Sequence, residues 1–125
     1  MAKKYQIFDE PQALTSVAAF HDMFNMPVLA SPVIPAEKRC QLRVALLQEE
    51  LDELKTAILE NDIVGVADAL SDLQYVLSGA VLEFGLAGRF KQLFDEVQRS
   101  NMSKTCKSLE IAQATKQYYL SGKKY

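Results

Sequence analysis

Apolar residues recur along this chain at helical spacing, and no alternating stretch of useful length marks a strand. The pattern predicts helices over residues 12–25, 36–60, 62–84, 88–99 and 109–120. Pro27, Pro32 and Pro35 crowd the segment from Met26 to Ala36 and predict a loop there. Gly85-Leu86-Ala87-Gly88 marks a second break, Ser100-Asn101-Met102-Ser103 a third, and Gly122 closes the last periodic segment. Asp9 or Glu10, ahead of Pro11, is the expected start of the first helix. Asn61 or Asp62 is expected to cap the third helix and Ser108 the fifth. The expected fold is all-α, with about five helices in a single domain over residues 1–125.

Placed on a helical wheel, Cys40, Val44, Leu47, Leu51, Leu54 and Ile58 form one apolar stripe. Gln48, Asp52, Lys55 and Thr56 lie opposite. Glu50 and Glu53 fall on neither face and share a row with Leu46 and Ala57, while Glu49 sits at the edge of the polar face. In the next helix Ile63, Val66, Ala67, Leu70, Leu73, Leu77, Val81 and Phe84 make a broad apolar face, and Val64, Tyr75, Val76 and Leu82 cover much of the other side. A helix apolar nearly all round is expected to be buried. Asp68, Asp72, Tyr75 and Gly79 form a narrow stripe on it, and Gly79, unfavourable inside a helix, implies that something approaches closely. A short monomer could hardly cover such a helix. The expectation is a four-helix-bundle core completed by homo-oligomerisation, as a dimer or tetramer.

Composition narrows the function classes. The chain has 125 residues, 49% of them hydrophobic and 24% charged, and a net charge of -2, so no global field favours a nucleic acid polymer. The apolar stretches fall short of the roughly 20 residues a membrane span requires. The N-terminal residues carry no apolar run of the secretory kind, which predicts a cytoplasmic setting. Cys40 and Cys106 are too far apart in sequence for a metal-type pair and read as packed, reduced thiols.

The chemistry lies in two acidic clusters, Glu49-Glu50-Leu51-Asp52-Glu53 and Asp68-Ala69-Leu70-Ser71-Asp72. Within each, carboxylates three or four residues apart share a helix face. Carboxylates gathered in a packed interior repel one another unless a cation holds them. Two antiparallel helices offering such pairs suit Mg²⁺, with Mn²⁺ as the alternative. The ligand candidates are Glu50, Glu53, Asp72 and Asp68, and Glu49 is the candidate base for a water. For Glu49 and Asp52 taken alone, a solvated face is the better reading. A di-iron bundle needs Glu-x-x-His pairs, which the lone His21 does not supply. Asn101 and Lys104, in Arg99-Ser100-Asn101-Met102-Ser103-Lys104, could hold an anion, although taken by itself the segment reads better as a polar interhelical turn. His21 reads as an ordinary half-buried histidine, and Tyr75 first as a core aromatic and second as a ring that could stack on a base.

Together these residues resemble the all-α nucleoside triphosphate pyrophosphohydrolase superfamily, which includes MazG, the dimeric dUTPases and phosphoribosyl-ATP pyrophosphohydrolase. Glu49-Glu50-Leu51-Asp52-Glu53 matches its Glu-Glu-x-x-Glu motif. Phe20-His21, Asp68 to Val76 with Gly79 following, and Ser100 to Lys104 resemble the phosphoribosyl-ATP pyrophosphohydrolase-like subgroup, from about Val17 to Lys107. The resemblance implies Mg²⁺-dependent cleavage of a nucleoside triphosphate between the α and β phosphates, giving a monophosphate and pyrophosphate, as in housecleaning of nucleotide pools. It implies Glu50, Glu53 and Asp72 as metal ligands, Glu49 as ligand or base, and Lys104 and Asn101 as phosphate contacts. His21 and Tyr75 are the nucleotide-pocket candidates. One position departs: the glutamate of the second motif, Glu-x-x-Asp, falls on Ala69, and its role passes to the adjacent Asp68. That departure motivates an alternative, a non-catalytic nucleotide- or metal-binding helical module of the same fold. A third option is a structural dimeric bundle with solvated acids.

Overall fold

The computed structural model describes residues 5–120, so Gly122 lies outside the described residues, as do the side chains of Cys106 and Ser108. The chain is all-α: α1 (Ala13–Met23), α2 (Glu37–Leu59), α3 (Ile63–Glu83) and α4 (Phe90–Leu120), with a 3₁₀ turn at Ala87–Arg89. The helices predicted over 88–99 and 109–120 are one helix of 31 residues. Ser100-Asn101-Met102-Ser103 contains neither glycine nor proline, and each of its residues lowers helix propensity by less than about 0.7 kcal/mol, too little to end a helix. Position 108 therefore falls inside α4 rather than at a helix start. α1 starts after Pro11 with Gln12 at its N-cap, and no side chain caps it.

The chain divides into two compact units, residues up to Gly88 and residues from Arg89 onward. In the first unit α2 and α3 form an antiparallel hairpin, and α1 packs on α3. All three helices stop by the same device. Asn25, Asn61 and Gly85 take positive φ at the first residue past each cap (54°, 55° and 71°). Their amides and those of the next residues fold back onto the last helical carbonyls: Met26 to His21, Asp62 to Ala57, Leu86 to Val81. Such Schellman turns satisfy carbonyls that the helix leaves unpaired. Asp62 then turns the chain into α3 by accepting from the Gly65 amide at 3.0 Å.

The proline-rich segment is a strap rather than a free loop. The amides of Leu29 and Val33 donate to the carbonyls of Leu82 and Phe84 at the end of α3. Gly85 lies directly under it, where a Cβ would overlap the Ser31 carbonyl oxygen.

Few apolar side chains are fully buried: Val17, Ala57, Ala69, Val81 and Leu82. α2 turns Arg43, Glu50 and Ala57 towards α3, whereas Val44, Leu51 and Ile58 of the predicted stripe are 66%, 49% and 60% exposed. On α3, Ile63, Val64, Leu70 and Leu77 are likewise exposed.

The second unit is α4. Its surface carries the pairs Lys91–Asp95 at 2.6 Å and Glu96–Arg99 at 2.5 Å, one turn apart and open to solvent, each a minor contribution to stability. Among the described residues no helix is long and apolar enough to cross a membrane.

Replacing Gly85 by alanine places a β-carbon in the left-handed region and against the strap. The expected loss is at least about 1–2 kcal/mol of unfolding free energy, read from urea titrations of both proteins.

Candidate active site

The seam between α2 and α3 is built in layers. Ala57 faces Gly65, Glu50 faces Asp72, Arg43 faces Gly79 and Arg39 faces Glu83. The first three layers are spaced seven residues apart on both helices, two turns each, as in antiparallel coiled coils. The layers alternate in chemistry: small residues nearest the turn, then acids, then an arginine over a glycine, then an ion pair.

In the acidic layer, Glu50, Glu53 and Asp72 each bring an oxygen within 4.8 Å of the others. Glu50 and Asp72 are half-buried and Glu53 is exposed. Oε2 of Glu50 is shielded from solvent and has no hydrogen-bond partner. An orphaned carboxylate oxygen amid two more carboxylates is the donor set a hard divalent cation takes up. Without one, Glu50 gives up its proton at a higher pH than an ordinary carboxylate. Burial, then hydrogen bonding and charge from Glu53, then the charges of Asp72 and Glu49, push its pKa to about 7.

Glu49 and Asp68 stand outside this group. Both line a shallow neighbouring groove of ≈ 450 Å³ together with Glu53, Asp52, Glu60 and Asp62. Ala69, where the second motif has glutamate, is 2% exposed on α3, and Asp68 beside it is exposed. Tyr75 packs edge-on against Phe20, ring centroids 5.8 Å apart. It also lines a second groove of ≈ 470 Å³ between α1 and α3, with Ser16, Val17, Ser71 and Gln74. His21 does not line that groove. It is 2% exposed, and its Nδ1 donates to the Pro27 carbonyl at 2.8 Å. Asn101 and Lys104 are exposed on α4, one turn apart, within a helix rather than in a turn.

Sequence reasoning missed Arg39, Arg43 and Glu83. Glu83 is 1% exposed and accepts from Arg43 Nε at 2.6 Å and from Arg39 Nε and Nη2 at 2.7 and 2.8 Å. The Arg39 hydrogen bonds, with help from Arg43, hold its pKa below the usual carboxylate value against the opposing pull of burial. The available signal was Glu83 itself, a lone acid in the apolar run Val81-Leu82-Glu83-Phe84. A buried charge demands a partner.

The family model for phosphoribosyl-ATP pyrophosphohydrolase matches residues 17–101, most of the chain. No curated protein sequence matches it.

Because the pKa of Glu50 is higher in the folded than in the unfolded chain, the native state binds more protons between about 4.5 and about 7. Stability of the metal-free protein is therefore expected to fall as pH rises through that window. Thermal melts in chelator from pH 4.5 to 8 will read this slope, and Glu50→Gln flattens it.

Proposed function

The chain belongs to the phosphoribosyl-ATP pyrophosphohydrolase family, and from that premise we propose that it hydrolyses a nucleoside triphosphate between the α and β phosphates, releasing a monophosphate and pyrophosphate. The observation that carries the reading is the convergence of Glu50, Glu53 and Asp72 around the orphaned oxygen of Glu50. These three residues would hold Mg²⁺, or Mn²⁺ in its place. When bound, the ion offsets phosphate charge and makes water more acidic. Asp68, on the rim of the acidic groove, adds negative charge where the motif glutamate is missing.

Glu49, one residue from Glu50 and open to the same groove, takes the proton of the attacking water. The water oxygen bonds to phosphorus as the bridging P–O bond breaks, and pyrophosphate departs with that bond's electrons. The motif that Lys104 and Asn101 match, and their chemistry, support assigning them phosphate contacts. Tyr75 receives the nucleoside in the α1–α3 groove, and His21 is the remaining pocket candidate. Removal of unwanted nucleotides in the cytoplasm is the role this chemistry suits.

Self-association belongs to the same proposal. The exposed stripe of α2, with Leu51, Leu54, Ile58 and Leu59 around a groove of ≈ 470 Å³, is the face a second copy covers. The family match runs across both compact units, which supports treating the chain as one functional domain.

A second reading rests on Ala69. With that carboxylate absent, the fold could bind nucleotide or metal without turnover.

Incubation with Mg²⁺ and a panel of nucleoside triphosphates plus phosphoribosyl-ATP, with pyrophosphate as the readout, separates the two. Turnover is expected and is lost in Glu50→Gln. Glu49→Gln is expected to lower kcat by about 10²–10⁴ while metal binding persists. Binding without pyrophosphate release in the unmodified protein would select the non-catalytic module. Light scattering is expected to give a dimer or tetramer that Leu51→Glu converts to monomer.

A further inference from the structure

We infer that Gly79, Arg43 and Glu83 form a positioning layer that holds the carboxylates of Glu50, Glu53 and Asp72 together from two turns away. The inference rests on the metal-site reading above, because it supplies the force that keeps that site assembled.

Gathered acids push α2 and α3 apart or rotate Glu50 outward. Resistance must come from the layers on either side. Towards the turn, Ala57 and Gly65 are so close that a β-carbon on Gly65 would stand 3.0 Å from that of Ala57. Away from the turn, Arg43 occupies the same α2 row as Glu50, and Gly79 the same α3 stripe as Asp72. A β-carbon on Gly79 would meet Arg43 Nη1 at 2.7 Å and His21 Nε2 at 3.3 Å.

Elsewhere an arginine tip would swing aside from such a contact. Here it is tethered. Arg43 is 3% exposed, and its Nε is 2.6 Å from the Glu83 carboxylate, which Arg39 grips from its other side. The imidazole has no more freedom, since the Pro27 carbonyl holds its Nδ1. The guanidinium thus occupies the space that a side chain at position 79 would fill, which sets how closely the helices approach and how they are rotated. Glycine at 79 permits that approach, and Glu83 fixes the arginine that uses it. These are positioning residues: none of them belongs to the acidic group itself.

The test is a cycle in which a methyl group is added and the arginine then shortened. Gly79→Ala is expected to weaken Mn²⁺ binding at least about tenfold, followed by electron paramagnetic resonance, while helical circular dichroism is retained. Arg43→Lys in the Gly79→Ala background, with a narrower head and the same charge for Glu83, is expected to restore the affinity. A methyl group that merely loosened the fold would not be rescued by trimming Arg43. Glu83→Gln, which adds no atoms, is expected to weaken Mn²⁺ binding in the same direction and decides the matter if Gly79→Ala does not fold.

Crystals of metal-free Gly79→Ala protein give a readout independent of any ion. The oxygens of Glu50 and Asp72 are expected to separate beyond 4.8 Å. Unchanged separation overturns the inference, as does unchanged affinity in both single variants or failure of Arg43→Lys to rescue. If the unmodified protein binds no Mn²⁺, the metal reading falls and the crystallographic separation alone decides on the positioning layer.

Discussion

Repulsion among Glu50, Glu53 and Asp72 is the constraint around which the first unit is organised. Three carboxylates with oxygens within 4.8 Å, one of those residues with a desolvated and unpartnered oxygen, oppose the folded state when no cation is present. The chain tolerates this by making the rest of the α2–α3 seam stiff. Small residues close the layer beside the turn, Schellman turns fix both helix ends, and the strap ties the end of α3 through the Leu82 and Phe84 carbonyls. A site under tension has to be braced by elements that are not.

The same seam holds a second buried acid, Glu83, whose surroundings differ from those of Glu50. Glu83 is more deeply buried than Glu50, yet two guanidinium groups satisfy both its oxygens and favour its charged form. Glu50 has only other acids around it, and its charged form is disfavoured. Burial alone does not separate structural from functional carboxylates. A carboxylate held by two guanidinium groups has less to offer a cation than one surrounded by other carboxylates.

The fold class and the acidic layer were legible in the sequence for one reason: periodicity. Glu50, Glu53 and Asp72 stood out because helical spacing put them among apolar positions, and Gly79 because glycine inside a helix implies a close neighbour. What periodicity cannot weigh was lost. It ranked Val44, Leu51 and Ile58 as the inward stripe of α2, although the seam with α3 selects Arg43, Glu50 and Ala57. The spacing of apolar residues cannot foresee that an arginine faces inward, because the reason, Glu83, is forty residues away. Likewise Asn25 and Asn61 end helices through positive φ, a role that asparagine shares with so many others that composition does not announce it. The uninterrupted α4 shows the reverse error, in which turn-like residues were given more weight than a continuous helix assigns them.

Ala69 is where fold and chemistry pull apart. Its position is 2% exposed, whereas Asp68 beside it is exposed and lines the open groove with Glu49 and Glu53, where solvent screens its charge. The substitution therefore divides the acids between the two places instead of simply deleting one. Three remain close enough for a cation, and others line the open groove. An acidic groove repels a free triphosphate. It accepts one only when divalent charge accompanies it, so metal and substrate are expected to load together rather than independently.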